Sequence, residues 1–113
     1  MSYVPTRGDL VWLTLDPQAG HEQAGRRPAF VLSPAAYNRK TSLLLGCPVT
    51  SRIKGYPFEV TLPPGLPIGG VILADQIKSL DWKVREAQFA AETPDAVIED
   101  VLALVLPLIG DGG

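Results

Sequence analysis

Two residue types that often carry catalytic or metal chemistry are nearly missing from this sequence of 113 residues. It contains one cysteine, Cys47, and one histidine, His21. A single cysteine excludes a disulfide framework within the chain, and no cluster of Cys, His and Asp stands at metal-ligand spacing. Acid–base chemistry with two histidines is excluded within one chain, and a Cys–His nucleophilic pair is disfavoured. We therefore expect no metal and no other cofactor, and any catalysis would use carboxylate, hydroxyl, amide or guanidinium groups.

Long apolar runs are also missing. No run approaches the roughly 20 apolar residues that a membrane span needs, and the first residues lack the basic-then-apolar pattern of a secretory signal. The sequence thus predicts a cytoplasmic protein. Hydrophobic residues make up 46% of the chain and charged residues 19%, which is typical of an ordered globular protein. The length fits a single domain over residues 1–113.

A surplus of basic residues, which is usual in nucleic-acid binders, is not found either, since the net charge is −2. The distribution is uneven. Residues 1–56 hold seven basic and three acidic groups (+4), and residues 57–113 hold three basic and nine acidic groups (−6), which together give −2. Such asymmetry can create one face that attracts phosphate on an acidic protein. The alternative is that both halves simply carry solvated surface charges.

Short apolar runs between Gly and Pro residues predict six strands. They cover residues 9–15, 29–32 (opened by Pro28), 42–49, 56–62, 71–73 and 80–89. Residues 35–38 are predicted to form a turn. Many short strands with frequent Gly and Pro favour a small, partly open β-barrel.

One helix is predicted near the end of the chain. Thr93 suits the N-cap, Pro94 the first helical position, and Asp95 the positive end of the helix dipole. Pro107 should kink or end the helix, and Gly110 is a natural stop. One apolar face follows at helical spacing and is expected to pack on the core or in a dimer contact: Val97, Ile98, Val101, Leu102 and Val105.

Reactive side chains are most concentrated in the loop that covers residues 20–28. Its sequence is Gly20-His21-Glu22-Gln23-Ala24-Gly25-Arg26-Arg27-Pro28. Long loops in compact domains often carry function, because a rigid scaffold can hold them over a surface. From composition alone, the loop could equally be a solvated hairpin connection with turn glycines.

Several segments have a specific order and spacing. The loop pattern is Gly20-x-Glu22-Gln23-x-Gly25-x-Arg27-Pro28, followed by an apolar strand that ends Leu32-Ser33-Pro34. The other segments are residues 8–12, Pro48-x-Thr50, residues 54–60 and residues 73–79. This set resembles the MazF/PemK family of toxins over nearly the whole chain, and is far more specific than Gly-x-Glu-Gln alone.

The resemblance implies an SH3-like β-barrel of the CcdB/PemK type with a C-terminal α-helix, usually as a homodimer. It implies a toxin that inhibits translation and growth by cleaving single-stranded messenger RNA at short sequences without a metal. The products would carry a 2′,3′-cyclic phosphate and a 5′-hydroxyl. It also implies a cognate antitoxin, whose extended tail would occupy the RNA groove.

The resemblance also assigns site residues. Arg27 and Thr50 match catalytic positions of the family, and Glu22 matches an acidic position in the same loop. Arginine is a poor base, since its pKa exceeds about 12, but its planar fork suits the charge of a phosphorane. We therefore expect Arg27 to stabilise the transition state, Thr50 to donate a hydrogen bond and Glu22 to act as base. The remaining RNA-binding candidates are Gln23, Ser51, Lys54 and Gln76.

Alternatives to these roles stay open. Arg27 itself could perform the proton transfers, and His21, which departs from the family motif, could assist. Asp75 and Gln76 could read a base edge or cap a turn. Trp12 and Trp82 could stack on bases, but tryptophan in strand sequence favours the core, and Cys47 should be buried and inert.

Two rival functions come from other classes. One is a non-catalytic toxin of the same barrel fold, such as those that poison DNA gyrase. Those toxins share a Trp-Gly-Ile ending, whereas this sequence ends Leu108-Ile109-Gly110-Asp111-Gly112-Gly113. The other is an inactive SH3-like interaction module. Cleavage of single-stranded RNA in EDTA would distinguish a metal-independent nuclease from both of these non-catalytic alternatives.

Overall fold

The computed structural model describes residues 2–14 and 25–110, which contain seven strands and two helices. The helices are α1 (Ala35–Thr41) and α2 (Asp95–Ile109). The strands are β1 (Asp9–Thr14), β2 (Arg26–Val31), β3 (Leu43–Thr50), β4 (Glu59–Thr61), β5 (Val71–Leu73), β6 (Lys78–Asp81) and β7 (Gln88–Glu92). The predicted runs for β1, β3 and β5 agree with these bounds to within one residue.

The strands of the described residues form one antiparallel sheet that does not close. Its order is β4-β5-β3-β2-β1-β7, and β6 pairs with the first half of β3. Strand β3 therefore has three partners, because β2 and β6 flank it and β5 joins at its end. The predicted architecture, mainly β and partly open with a C-terminal helix, is confirmed.

Apolar residues cover both faces of this sheet. On β1, Leu10 belongs to the larger buried cluster, whereas Val11 and Leu13 belong to a smaller one. Successive strand residues point to opposite faces, so a continuous apolar run serves both clusters. Helix α2 packs on the larger cluster through the predicted face: Val97, Val101 and Val105 are buried, with Ile98 and Leu102 partly buried beside them.

The turn predicted at residues 35–38 is wrong, because these residues begin helix α1. Asn38 explains the difference. Its side chain is fully buried and donates to the backbone oxygens of Pro5 at 2.8 Å and Ser33 at 3.1 Å. The indole of Trp82, buried as predicted, donates to the Asn38 carbonyl at 2.9 Å. These partners lie far away in sequence, so the local pattern could not show them.

The single strand predicted over residues 80–89 is also wrong. Two strands, β6 and β7, are separated there by a turn. The Asp81 carboxylate causes the break, since its Oδ1 accepts hydrogen bonds from the backbone N–H groups of Lys83 and Val84 at 3.1 and 2.9 Å. A loose alternation of apolar residues continues through the turn and hides it.

Two strand boundaries need correction. Strand β2 begins at Arg26 and not at Pro28. Pro28 pairs with β1 only, and a proline is tolerated where one side of a strand is unpaired. Strand β4 is shorter than the predicted residues 56–62, because the chain turns just before it, where the Glu59 N–H donates to the Tyr56 carbonyl at 3.0 Å.

Helix α2 differs from the prediction at its start and agrees at its end. Pro94 is the N-cap, and the Thr93 hydroxyl donates to the Gly8 carbonyl at 2.8 Å instead of capping the helix. Pro107 does not end the helix, which continues to Ile109, and Gly110 is its C-cap, the predicted stop. Neither helix of the described residues is long and apolar enough to span a membrane.

Candidate active site

Arg27 and Thr50 come together where strands β2 and β3 separate. The two strands pair from Ala29 and Pro48 to Val31 and Gly46. Continued by two residues beyond Ala29, this register aligns Arg27 with Thr50. Both residues line two adjoining clefts at this end of the sheet. The fold therefore places the proposed phosphate-binding arginine and the proposed hydroxyl donor around one open space.

Arg26 and Arg27 are neighbours with opposite surroundings. Arg26 Nη1 donates to Thr14 Oγ1 at 2.8 Å, and Nη2 donates to the Glu86 carbonyl at 2.6 Å. Arg27 is exposed, and no described residue accepts a hydrogen bond from its guanidinium. Arg26 further contacts the backbone oxygens of Arg85 (3.2 Å) and Trp12 (3.3 Å) and the Gln88 side chain (3.5 Å). Arg26 thus joins strands, whereas the guanidinium of Arg27 is exposed and has no acceptor in the part of the chain that the structure describes.

Thr50 ends β3 and is held on two sides. Its backbone pairs with Val71 of β5, and its Oγ1 accepts a hydrogen bond from the Arg52 N–H at 3.1 Å. That bond uses a lone pair of the hydroxyl and leaves the O–H hydrogen for another acceptor. The arrangement suits donation to a phosphate oxygen.

A further cleft, which Arg27 does not line, also adjoins Thr50. Lys54 and Gln76, two of the predicted RNA-binding residues, line it, and Ser51 lines a cleft with Arg27. The Glu59 carboxylate orders the loop before β4, because its two oxygens accept the N–H groups of Lys54 and Gly55 at 3.0 Å each. Three of the four RNA-binding candidates therefore surround Thr50.

The fourth candidate, Gln23, and the proposed base, Glu22, lie outside the described residues, as do Gly20 and His21. The predicted acid–base roles in this loop stay predictions. Among the described residues, no group of three or more His, Cys, Asp or Glu side chains converges as a metal site would require.

Three site residues were missed in the sequence. Lys78 lines a cleft with Arg27 and Thr50, and Arg52 and Tyr56 line the cleft beyond Thr50. Lys78 pairs across the sheet with Gly46, which has no side chain to cover it. Two signals were available: Arg52 belongs to the basic first half of the sequence, and Tyr56 and Lys78 lie in segments 54–60 and 73–79 of the family resemblance. Arg52 and Lys54 line the same cleft. Together with Arg27, they make the surroundings of Thr50 cationic.

Asp75 connects the cleft to the core. Its Oδ2 accepts a hydrogen bond from the exposed Tyr56 hydroxyl at 2.8 Å, which raises the pKa of that tyrosine. Its Oδ1 is buried and has no hydrogen-bond partner among the described residues. Burial, and secondarily the charge of Asp75, raise the pKa of Cys47 to about 12, so this buried thiol is not a nucleophile at neutral pH. The Asp75 carboxylate therefore accepts a hydrogen bond from the Tyr56 hydroxyl and does not cap a turn in the described part of the chain.

The two tryptophans differ in their access to the clefts. Trp82 is buried in the smaller core cluster, as predicted. Trp12 is partly buried and packs against the larger cluster, as its strand position predicts, but it also lines a cleft with Arg27. Gln76 is exposed and lines the cleft beyond Thr50. Its backbone N–H donates to the Leu73 carbonyl at 3.1 Å, and its side-chain amide faces no such demand and is available to the cleft.

Comparisons with known proteins agree on one family. A family model described as "PemK-like, MazF-like toxin of type II toxin-antitoxin system" matches residues 6–109. The "Endoribonuclease toxin MazF" of Escherichia coli (strain K12) is 48% identical over 108 residues, which are 96% of each chain. Every residue of the proposed site lies within the matched range.

Solved structures show the same fold. A MazE-MazF crystal structure from Deinococcus radiodurans superposes with a TM-score of 0.86 at 53% identity, covering 96% of this chain and 98% of that one. An endoribonuclease in complex with its cognate antitoxin, from a mycobacterial species, superposes with a TM-score of 0.72 at 28% identity. That match covers 92% of this chain and 96% of the other.

Proposed function

We propose that this chain, which belongs to the family of PemK-like, MazF-like toxins of type II toxin–antitoxin systems, cleaves single-stranded RNA in the cleft between Arg27 and Thr50. It is an endoribonuclease like its curated relatives, and the proposal concerns how it cleaves. We expect the reaction to need no metal ion. One observation carries the proposal: an arginine without a protein partner among the described residues faces a threonine hydroxyl across an open, cationic cleft.

The proposed reaction is an internal transesterification. The 2′-hydroxyl of the nucleotide before the scissile bond loses its proton to a base, and its oxygen forms a bond to phosphorus. The bond from phosphorus to the 5′-oxygen breaks, and that oxygen takes up a proton. The products are a 2′,3′-cyclic phosphate and a 5′-hydroxyl, and no oxidant, metal or water enters this step.

The described residues supply charge stabilisation. A guanidinium binds two phosphate oxygens at once and stays protonated, so Arg27 can stabilise the negative charge that develops at phosphorus. The Thr50 hydroxyl can donate to the same group, since its oxygen is already oriented by the Arg52 N–H. We assign the base to Glu22, in the loop that ends at Arg27, because a carboxylate accepts a proton far more readily than an arginine.

Binding of the RNA strand on both sides of Thr50 is assigned to polar and cationic side chains. Lys78 lies on the Arg27 side, and Arg52 and Lys54 lie on the other, so successive phosphates can be neutralised along the groove. Single-stranded RNA leaves base edges accessible, and the amide of Gln76 can pair with one. Ser51 and Gln23 complete the proposed groove.

The family membership also implies a partner. A type II toxin has a cognate antitoxin, and we propose that its extended tail occupies the same cationic groove and excludes RNA. An acidic segment would suit the surroundings of Arg27, Arg52 and Lys78. We further propose that the toxin works as a homodimer in the cytoplasm, where messenger RNA is translated.

The test is an incubation of the purified protein with end-labelled single-stranded RNAs of varied sequence in EDTA. We expect cleavage at defined short sites and 3′ fragments with a free 5′-hydroxyl, which polynucleotide kinase will label directly. Protein with the substitution Arg27→Ala, prepared in parallel, controls for contaminating nucleases. If no RNA is cut, or if cutting needs a divalent metal, the proposal is wrong and a non-catalytic role becomes the better account.

A further inference from the structure

The cleft beyond Thr50 contains an aromatic ring that the cleavage chemistry does not use. Tyr56 is 47% exposed and lines this cleft together with Lys54 and Gln76. Thr50 lines both this cleft and the clefts around Arg27, so this cleft adjoins the proposed cleavage site. A strand whose phosphate sits at Thr50 would enter it with the neighbouring nucleotide.

The ring of Tyr56 is fixed, although it is exposed. Its hydroxyl donates to Asp75 Oδ2 at 2.8 Å, and its ring lies 5.8 Å from the ring of Phe58 at a tilt of 45°. The backbone just before it is tied down by the Glu59 carboxylate. A solvent-exposed tyrosine needs no such support, because water satisfies its hydroxyl.

Fixing Tyr56 has a cost within the protein. The other oxygen of Asp75 is buried and has no hydrogen-bond partner among the described residues, which is unfavourable for a carboxylate. The negative charge of the same carboxylate helps, after burial, to raise the pKa of the Cys47 thiol. A destabilising arrangement that holds one exposed ring in place points to a role in binding.

We infer that Tyr56 forms a nucleobase subsite, in which the base next to the scissile phosphate stacks on its ring, and that Asp75 is the positioning residue for that ring. Base–aromatic stacking tolerates any base, and the adjacent amide of Gln76 offers one donor and one acceptor group to its edge. Lys54 and Arg52 lie beside the ring for the backbone phosphates. This inference rests on the proposed ribonuclease function.

The surroundings of the Tyr56 ring suit an uncharged base. Glu59 lines the cleft beside Arg52 and Lys54, so its carboxylate opposes an acidic group placed close to it, whereas the two cations suit the phosphates of the strand. An uncharged base meets no such opposition and gains contact area on the ring. Exclusion of water from a pre-oriented aromatic surface further favours a flat ligand.

The test measures kcat and KM for one RNA with a mapped cleavage site. Tyr56→Leu should raise KM about 5- to 150-fold, the equivalent of one lost base–aromatic stack, with kcat at saturating RNA changed less than threefold. Tyr56→Phe and Asp75→Asn keep the ring and weaken its anchor, so each should raise KM about 2- to 12-fold, as the loss of one hydrogen bond does. Tyr37→Leu removes a comparably exposed ring on α1, outside this cleft, and should leave both constants unchanged.

A second RNA, with an abasic nucleotide next to the cleavage site, identifies the group that Tyr56 contacts. On this RNA the KM of the wild-type protein should rise at least as much as the KM of Tyr56→Leu rises on the intact one, since the contact with Gln76 is lost as well. The abasic change should raise KM less in Tyr56→Leu than in the wild-type protein, because the stack is already missing there. Full additivity of the two changes, or an unchanged KM for Tyr56→Leu, would overturn the subsite even if the enzyme is active. If wild-type protein cleaves neither RNA, the proposed function itself fails and the subsite with it.

Discussion

Arg27 lies across from Thr50 at the point where the pairing of β2 with β3 stops, and both side chains line the same clefts. Beyond this point, ladder hydrogen bonds no longer hold the strands together, which leaves the space that an RNA phosphate would need. The position of Arg27 depends on its neighbour, because Arg26 ties the start of β2 to the end of β1 and to the residues at the start of β7. One arginine therefore stabilises the fold, and the next is available for chemistry.

Substitution of these two arginines should separate stability from activity. Arg27→Ala should lower kcat about 10²- to 10³-fold, as loss of an oxyanion donor does, and change the free energy of unfolding by less than about 0.5 kcal/mol. Arg26→Ala should lower the free energy of unfolding by about 1–3 kcal/mol, because carbonyls at the strand ends lose a charged donor. Urea denaturation and single-turnover cleavage measure the two effects. A folded Arg27→Ala protein with wild-type kcat would refute its role.

Gly70 packs directly on the backbone of Thr50. A methyl group at Gly70 would overlap the Thr50 carbonyl, and its φ of +109° already disfavours other residues. Gly70→Ala should therefore displace Thr50 and lower kcat at least tenfold, besides destabilising the fold. Gly65→Ala is the matched control, since Gly65 has a similar φ of +95° but open space around it. It should lose about 1 kcal/mol of stability and no activity. Equal kcat values for the two folded variants would contradict this coupling.

The salt dependence of RNA binding should report the cations around Thr50. For a 2′-deoxy RNA that cannot be cut, a plot of log K against log salt should lose about 0.7 in slope when Lys78 is changed to alanine, as expected for one phosphate contact on a single strand. Lys40→Ala, on α1, removes an exposed lysine outside the clefts and should keep the wild-type slope. Fluorescence anisotropy at roughly 50 to 300 mM salt measures this slope, since the Debye length falls about 2.5-fold over that range. An unchanged slope in Lys78→Ala would show that Lys78 does not contact an RNA phosphate.

Cys47 should make the fold sensitive to alkali. Its pKa rises from 9.0 to about 12 on folding. Below pH 9 the thiol is protonated in both states, so it adds no pH dependence. Between pH 9 and 12 only the unfolded thiol is ionised, and stability falls by up to about 1.4 kcal/mol per pH unit. Cys47→Ala should show a shallower decline, although Tyr3 and Tyr56, whose pKa values are also raised, retain part of it.

Thiol labelling gives an independent check of the same residue. At pH 8, Ellman's reagent should react with Cys47 only as fast as the protein unfolds, because the thiol is buried and protonated. Rapid labelling of folded protein, or an alkaline stability slope that Cys47→Ala does not change, would show that the thiol is accessible or titrates normally.

Much of the fold could be predicted from periodicity and punctuation. The apolar run of β1 and the helical spacing of Val97, Val101 and Val105 are local properties, and both were interpreted correctly. The errors arose where a polar side chain acts over a distance or caps a turn. Asn38 stabilises α1 through Pro5 and Ser33, and Asp81 breaks a run that otherwise continues as a strand.

The candidate site shows a similar division. The loop motif singled out Arg27, but nothing in the sequence shows why its neighbour Arg26 is engaged, since its acceptors are mostly backbone oxygens contributed by distant residues. Backbone carbonyls carry no residue identity, so composition cannot reveal them. Lys78 was missed for a related reason, because its access to the cleft depends on pairing with Gly46.

The most direct test of the account uses one change in the RNA and none in the protein. The nucleotide before the mapped cleavage site is replaced by its 2′-deoxy form, and both RNAs are incubated with wild-type protein in EDTA. The account predicts that the all-ribose RNA is cut to a 2′,3′-cyclic phosphate and that the substituted RNA is bound but not cut at that site. Cleavage of the substituted RNA at the same bond and a similar rate would show that another nucleophile attacks, and would contradict the mechanism proposed for Arg27 and Thr50.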